Sequence, residues 1–491
     1  MTETAGADAT PEPVVLVASN RGPVSFTRAE DGSLVLRRGG GGLVSGLSAV
    51  AEHTAVLWVC ASLSEHDRWA ARQAPGGRLD LAGHDTGGAA VRMLDIPPGE
   101  FHRAYNGIAN STLWFVHHLL YNTPNVPSFD RPWRREWEAY QAYNARFAQA
   151  LAEDAPAGAR VAVQDYHLSL APGLLRRIRP DLRIAHFSHT PWAPPDYYRL
   201  LPDDVAQDVC EGILGADHAG FLCTRWADAF ADCCETVLGA DVDRSARTVT
   251  HAGRTTRLGV HGLGTDGDLL RARAAQTDVD VHVAVLREAV GDRRIIARVD
   301  RTELSKNIVR GLAAYRELLR GRPEWQGRVV HLAFAYPSRH DLPEYREYTA
   351  AVQRIADEID DEFATADWQP LLLAVDDDYA RSLAAYRLAD VLLVNPVRDG
   401  MNLVAKEGPV LAEGGCALVL SREAGAAYDL GADALLCNPF DVTATADALH
   451  AALSMPDEER RARSTRLAAA STACPPQRWF AEQLAALDGL G

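Results

Sequence analysis

The feature that most constrains this chain is a rhythm that occurs twice. Short apolar runs of strand length alternate with longer stretches of helical periodicity. In the first half the strand-like runs are Val14–Ala18, Val56–Cys60, Arg160–Val163, Ile184–Phe187 and Gly220–Cys223, with helical stretches such as Arg134–Glu153 and Leu168–Ile178 between them. In the second half they are Arg294–Arg298, Val329–Ala335, Leu371–Val375, Val391–Val394, Ala417–Leu420 and Ala434–Cys437. There the gaps carry periodic apolar positions, among them Ile308, Leu312, Tyr315 and Leu318. Strands that are apolar throughout must be covered on both faces, which predicts parallel sheets flanked by helices. A polar stretch, Gly262–Asp280, separates the halves. The expected fold is α/β, with two Rossmann-like domains facing each other across a cleft. Their expected bounds are 14–264 and 265–474, after a disordered tail at 1–13 and before a terminal amphipathic helix at roughly Pro476–Leu487.

A length of 491 residues fits two domains better than one enlarged core. No apolar run is long enough to span a bilayer, and no charged-then-apolar leader opens the sequence. The net charge of −16 argues against broad binding to nucleic acid or anionic membranes, so any anionic ligand must meet local, specific cations. The eight cysteines include no CxxC pair and predict buried thiols in a cytoplasmic enzyme. Oligomeric state is left open, a homo-oligomer being compatible with all of this.

Polar clusters fall where strands end, which is where open parallel sheets bind ligands. Ser19-Asn20-Arg21 follows the first strand. A hairpin-like stretch, Ser25–Leu36 with Asp31-Gly32 at its turn, leads into Arg37-Arg38 and four glycines, Gly39–Gly42, ahead of a helix-like run at Val44–Ala51. Without side chains those glycines let backbone approach a phosphate or sugar closely. Gln164-Asp165-Tyr166-His167 and Ser188-His189-Thr190-Pro191-Trp192 end two further strands, and Phe101–Trp114 is rich in aromatics. In the second half, Arg298 to Asn307, Tyr336-Pro337-Ser338-Arg339 and Val397–Glu407 each follow a strand. The last is a strand that ends in Asp399-Gly400 and opens into a helix, so unpaired N–H groups point from its mouth. The chain holds only two lysines, Lys306 and Lys406, and both lie in these clusters. In an Arg-rich chain they mark places where a compact ammonium serves better than a planar guanidinium. Arg298 and Lys306 are expected to converge on Gly400–Leu403, giving the donor set of a diphosphate site that stabilises a leaving group without a metal.

Together these motifs resemble trehalose-6-phosphate synthase. They are Ser19-Asn20-Arg21, Gly41-Gly42-Leu43, Tyr105 with Trp114, Asp165-Tyr166-His167, His189-x-Pro191, Arg298 with Lys306, Ser338-Arg339, and Asp399 through Glu407. They run from about residue 14 to about 480, in that family's order. The resemblance implies the retaining GT-B glycosyltransferase arrangement, with an acceptor-binding first domain, a nucleotide-sugar second domain and the terminal helix crossing back to the first. It implies transfer of glucose from UDP-glucose or GDP-glucose to glucose 6-phosphate, forming α,α-trehalose 6-phosphate without a metal or other cofactor. Arg298 and Lys306 would then hold the donor diphosphate with the N–H groups of Asn402 and Leu403, and Glu407 the ribose. His189, Asp399, Gly400 and Met401 would hold the glucosyl group, and Gly42 would close over the donor. Arg21, Tyr105, Trp114 and Arg339 would hold the acceptor, and Asp165 one of its hydroxyls. His189, Asp399, Asp165 and Arg298 form the implied catalytic set.

Two departures stand out. The Arg298–Lys306 spacing is longer than the family's usual pattern by about three residues. Val375-Asp376-Asp377-Asp378 replaces an aromatic residue that better-known members carry near the base. A carboxylate there, with Asp377 as the candidate, could accept paired hydrogen bonds from guanine, although a helix N-cap cluster is an equal expectation. Competing readings are a relative with another phosphorylated acceptor (glycerol phosphate or a cyclitol) and a non-catalytic sensor of sugar phosphates.

Overall fold

The computed structural model describes residues 15–29, 31–39, 55–339 and 342–489. The N-terminal tail, Gly40–Gly42 of the glycine run with the site candidate Gly42, and the run Val44–Ala51 lie outside the described residues. The chain forms two compact units. Unit 1 takes residues up to His117, Tyr121–His261 and Gln477 to the end; unit 2 takes His118–Leu120 and Gly262–Pro476. The division falls at His261/Gly262, at the start of the polar stretch and three residues before the expected boundary. The architecture is two Rossmann-like units, the GT-B type.

Unit 1 is built on a nine-stranded sheet. Six strands run parallel: β1 (Val15–Ser19), β4 (Val56–Ala61), β5 (Ala90–Leu94), β6 (Arg160–Gln164), β7 (Arg183–Ser188) and β8 (His218–Phe221). Their spatial order is β5-β4-β1-β6-β7-β8, so the winding reverses between β1 and β6. That reversal is the switch point at which doubly wound sheets bind ligands. β1 and β4 are buried at every position, which explains their uninterrupted apolar sequences. β11 (Arg254–Val260) extends the sheet in parallel, and β10 (Thr248–His251) and β9 (Asp241–Asp243) finish it antiparallel. The expected hairpin is β2 (Val24–Arg28) with β3 (Leu34–Arg38); Gly32 takes a φ of +84° at its turn.

The terminal helix Pro476–Asp488 belongs to unit 1 from Gln477 onward. Trp479 is fully buried, packs edge-on against Phe187 at 4.9 Å, and lies 5.3 Å from the His189 ring. At the helix's far end Asp488 pairs with Arg160 and Arg183, each at 3.1 Å. Arg103–Leu113, the stretch rich in aromatics, is π-helical. Such wide turns recur at functional sites.

Unit 2 repeats the theme with six parallel strands, β12 (Arg294–Arg301), β13 (Val329–Tyr336), β14 (Leu371–Ala374), β15 (Val391–Val394), β16 (Ala417–Ser421) and β17 (Leu435–Cys437). Their order, β14-β13-β12-β15-β16-β17, places the switch point between β12 and β15. β12 extends three residues beyond the apolar run recognised in the sequence, through Arg301. Every cysteine is a free thiol, and all but Cys474 are buried. No helix among the described residues is long and apolar enough to cross a membrane.

Candidate active site

In unit 1 the candidate residues gather where β1, β6 and β7 end, around the switch point. Asp165 follows β6 with φ 75° and ψ 166°, a conformation otherwise almost confined to glycine. A strained backbone of this kind costs ~1–3 kcal/mol and persists where its surroundings hold it. Here the Asp165 N–H donates to Phe187 O at 2.7 Å, and its carboxylate accepts from the His189 N–H at 3.3 Å and faces His167 at 3.6 Å. Burial pushes the Asp165 carboxyl up, but the His167 and His189 imidazoles outweigh it and hold it at about 2. His189 places Nε2 3.0 Å from Gln164 Oε1, and burial lowers its pKa, so the ring is neutral near pH 7. Tyr105, on the π-helical stretch, stacks between Phe101 at 5.1 Å and His167 at 5.5 Å. Trp114 closes that stretch beside Tyr166. Arg21 is exposed and has no side-chain partner among the described residues, whereas Asn20 is anchored by the Tyr143 hydroxyl at 2.7 Å.

In unit 2 the switch point is occupied by Arg298, which is only 1% exposed. Its Nε donates to Asp300 at 2.9 Å, Nη1 to Asn395 Oδ1 at 2.7 Å and Nη2 to the Lys306 carbonyl at 2.5 Å. The expectation that Arg298 meets a diphosphate is therefore corrected: its guanidinium is spent on the interior. Arg301, at the exposed end of β12, has no side-chain partner among the described residues. It is close enough to oppose the charge of Lys306. It also lies five positions before Lys306, the spacing left when the apparent three-residue excess is removed. That spacing, counted back from Lys306, is the sequence signal that makes Arg301 the candidate.

Lys306 Nζ lies 2.6 Å from Asp399 Oδ2, and Asn402 Nδ2 donates to the same oxygen at 3.1 Å. Burial disfavours both charges, yet the pairing prevails: the Asp399 carboxyl is lowered and the Lys306 ammonium raised. His118, on the short segment His118–Leu120 that belongs to unit 2, also contributes to lowering the Asp399 carboxyl. Asp399–Met401 is clamped from behind by the Gly425 N–H to Asp399 O at 3.1 Å and the Ala426 N–H to Met401 O at 2.8 Å. A Cβ on Gly425 would stand 1.9 Å from Gly400 O, so only glycine fits there. Asn402 adopts φ +80°, and its Oδ1 accepts from the Ala405 N–H at 3.2 Å, turning the chain into the helix Val404–Leu411. Leu403 stands at the mouth of that helix.

On the same helix, Lys406 points away from the mouth. Its Nζ binds Leu263 O at 2.8 Å and Asp429 at 2.5 Å, and it is 2% exposed, so it braces the helix from behind. The Glu407 carboxyl has no hydrogen-bonding or charged partner among the described residues, and burial alone pushes its pKa up to about 7. Arg339, at φ +45°, binds Glu303 at 2.8 Å and the Tyr345 hydroxyl at 2.7 Å through Nη1. Of the three aspartates before the helix Tyr379–Leu388, Asp378 caps it and faces His282 at 3.2 Å, and Asp376 pairs with Arg381 at 2.6 Å. Asp377 is exposed and has no partner among the described residues. No group of His, Cys, Asp and Glu among the described residues is arranged to hold a metal ion.

The glycosyltransferase family 20 model matches residues 13–488. The chain belongs to glycosyltransferase family 20. A bifunctional trehalose-6-phosphate synthase/phosphatase of Thermoproteus tenax is 34% identical over 376 residues, 76% of this chain and 50% of that one. The chain thus spans half the length of that relative. Among solved structures, one from E. coli bound with UDP-2-fluoro glucose superposes with a TM-score of 0.85 at 26% identity, covering 97% of this chain and 99% of that one. A UDP-forming α,α-trehalose-phosphate synthase from Burkholderia xenovorans, in complex with glucose 6-phosphate, gives 0.83 at 27% identity, covering 97% and 100%.

The isolated Glu407 carboxyl yields a pH prediction. Its folded pKa lies above the ordinary 4.5, so the native state binds more protons than the unfolded chain between those values. Its contribution to stability is therefore lost as pH rises from about 4.5 towards about 7. Glu407→Gln should raise the urea midpoint relative to the parent at pH 8 and change it little at pH 5. An equal effect at both pH values would contradict the assignment.

Proposed function

We propose that this chain is a retaining glucosyltransferase that moves glucose from a nucleoside-diphosphate glucose to glucose 6-phosphate, forming α,α-trehalose 6-phosphate. The observation that carries the reading is the Lys306–Asp399 pair at the unit 2 switch point, beside the helix mouth at Asn402–Leu403. An ammonium, helix N–H groups and the exposed Arg301 suit a diphosphate that gains charge as it leaves. Asp399, relieved of Lys306 by that diphosphate, is free to accept from glucosyl hydroxyls with Gly400 and Met401. Glu407 accepts from the ribose. In unit 1, Arg21, Tyr105, Trp114 and Asp165 take the acceptor, and His189 a glucosyl hydroxyl. Arg339 takes the acceptor's phosphate.

The electrostatics favour front-face attack. In that step the C1–O bond to the diphosphate breaks and a bond from the acceptor hydroxyl to C1 forms on the same face. The hydroxyl proton passes to the departing phosphate oxygen. Asp165, at about 2, is too weak a base to take that proton, and serves instead as a hydrogen-bond acceptor. A neutral His189 can orient the sugar without repelling the positive charge that grows on C1. Asp399 stays unbonded and ionised, stabilising that charge.

For the donor base, we infer that GDP-glucose serves at least as well as UDP-glucose. Asp377 supports this, because its two oxygens match the N1–H and N2–H₂ of guanine and uracil lacks that pair. Asp377→Asn should then lower kcat/KM for GDP-glucose about tenfold or more, the effect of losing hydrogen bonds to a charged group, with little change for UDP-glucose. Faster turnover of UDP-glucose by the parent contradicts the base assignment. The reaction itself is tested by nucleotide release from a panel of nucleotide glucoses. Release that depends on glucose 6-phosphate is expected, release only with another phosphorylated acceptor points to a relative, and no release with any donor points to a sensor.

Arg298 and Arg301, both on β12, should separate cleanly. Arg301→Met should lower kcat/KM for the donor at least a hundredfold with stability changed by less than ~0.5 kcal/mol, as for other surface sites. Arg298→Met should instead cost roughly 3–5 kcal/mol, the usual penalty for stripping one partner from a buried ion pair. A stable, donor-blind Arg298 variant beside a fully active Arg301 variant would reverse the assignment.

A further inference from the structure

We infer that Glu303 is a positioning residue that aims Arg339 at the acceptor's phosphate and ties it to the turn that carries Lys306; this rests on the proposed role of Arg339. Glu303 is completely buried, a location where a carboxylate needs a cation. The cation is Arg339, whose Nη1 lies 2.8 Å from Glu303 Oε2. Tyr345, also completely buried, donates its hydroxyl to Glu303 Oε1 and accepts from the same Nη1 at 2.7 Å. The guanidinium lies 5.6 Å from the Tyr345 ring centroid, closing a three-residue knot. Arg339 is held at φ +45°, a left-handed backbone that an L-residue with a long side chain adopts at a cost of roughly 1–2 kcal/mol. The knot offsets that cost and fixes the direction in which the guanidinium leaves the backbone.

The other end of Glu303 is equally fixed. Its carbonyl accepts from the Lys306 N–H at 2.9 Å, and the next carbonyl but one, Ser305 O, accepts from the Val397 N–H at 2.8 Å. Thr302, one residue before, donates its hydroxyl to Ala335 O at 3.0 Å and its N–H to Tyr336 O at 2.7 Å, so the turn is bound to the end of β13. One short turn thus carries the exposed Arg301, Lys306 with its Nζ on Asp399, and the buried Glu303, which grips the arginine that follows β13. Charge and direction both matter at Glu303, because a buried neutral amide would neither balance Arg339 nor hold it by an ionic hydrogen bond.

The test is steady-state kinetics of the full chain with both substrates varied. Glu303→Gln should raise KM for glucose 6-phosphate about tenfold or more, with KM for the nucleotide glucose and kcat each changed less than threefold. Tyr345→Phe, which keeps the ring and the carboxylate, should raise the same KM several-fold. Arg339→Ala should raise it more than either. The double variant Glu303→Gln/Arg339→Ala should match Arg339→Ala alone, because Glu303 acts only through that arginine. Equal losses towards both substrates, or additive effects in the double variant, would reduce Glu303 to a structural role and overturn the inference. If Glu303→Gln does not fold, the Tyr345→Phe KM decides: an unchanged value overturns the inference. If Arg339→Ala leaves KM for glucose 6-phosphate unchanged, the failure lies with the role proposed for Arg339.

Discussion

Unit 2 depends on one buried cation. Arg298 enters the interior from β12 and binds three things that must be held together: Asp300 on its own strand, Asn395 just past β15, and the carbonyl of Lys306. A guanidinium without water is tolerable only if its donors are met, and the five-donor fork meets them in three directions. The burden falls on its neighbours as well. Burial pushes the Asp300 carboxyl up against the pull of Arg298, and Gly311 must lack a side chain, since a Cβ there would come within 2.1 Å of Nη1. Beyond it, Lys306 after β12 and Asp399 after β15 meet at 2.6 Å.

The charges of the site then sort into two kinds. Some are already balanced within the protein: Lys306 with Asp399, Lys406 with Asp429, Arg339 with Glu303. Others have no partner among the described residues, namely Arg21, Arg301, Asp377 and Glu407. The second group reads as the negative of the proposed ligands, with guanidinia for phosphates and carboxylates for hydroxyls and a base edge. In the proposed reaction the first group would set the order of events, for a donor diphosphate would have to compete with Asp399 for Lys306. That exchange would release Asp399 to the sugar as the diphosphate is held.

Much of this was legible in the sequence because strands buried on both faces write themselves as unbroken apolar runs. β15 lies where the apolar run Val391–Val394 predicts, residue for residue. The π-helical stretch at Arg103–Leu113 was not legible, because its period departs from the 3.6-residue pattern that betrays an ordinary helix. Arg298 was misplaced for a different reason. A motif gives the order of residues along a strand but not where the strand stops, and β12 continues to Arg301. Residues two apart share a face, so Arg298 and Asp300 turn to the same side and pair, while the next residue reaches the exposed end. The Asp376–Asp378 cluster divided likewise: its outer members serve the helix and its middle one is left to solvent.

The account turns on which cations receive the donor, and a crystal structure with an unreactive nucleotide-glucose analogue tests that directly. The expected result has Lys306 Nζ transferred from Asp399 to a diphosphate oxygen, Arg301 beside it, Asp399 on glucosyl hydroxyls, and Arg298 still bound to Asp300 and Asn395. A diphosphate gripped by Arg298, with Lys306 still on Asp399, would contradict it.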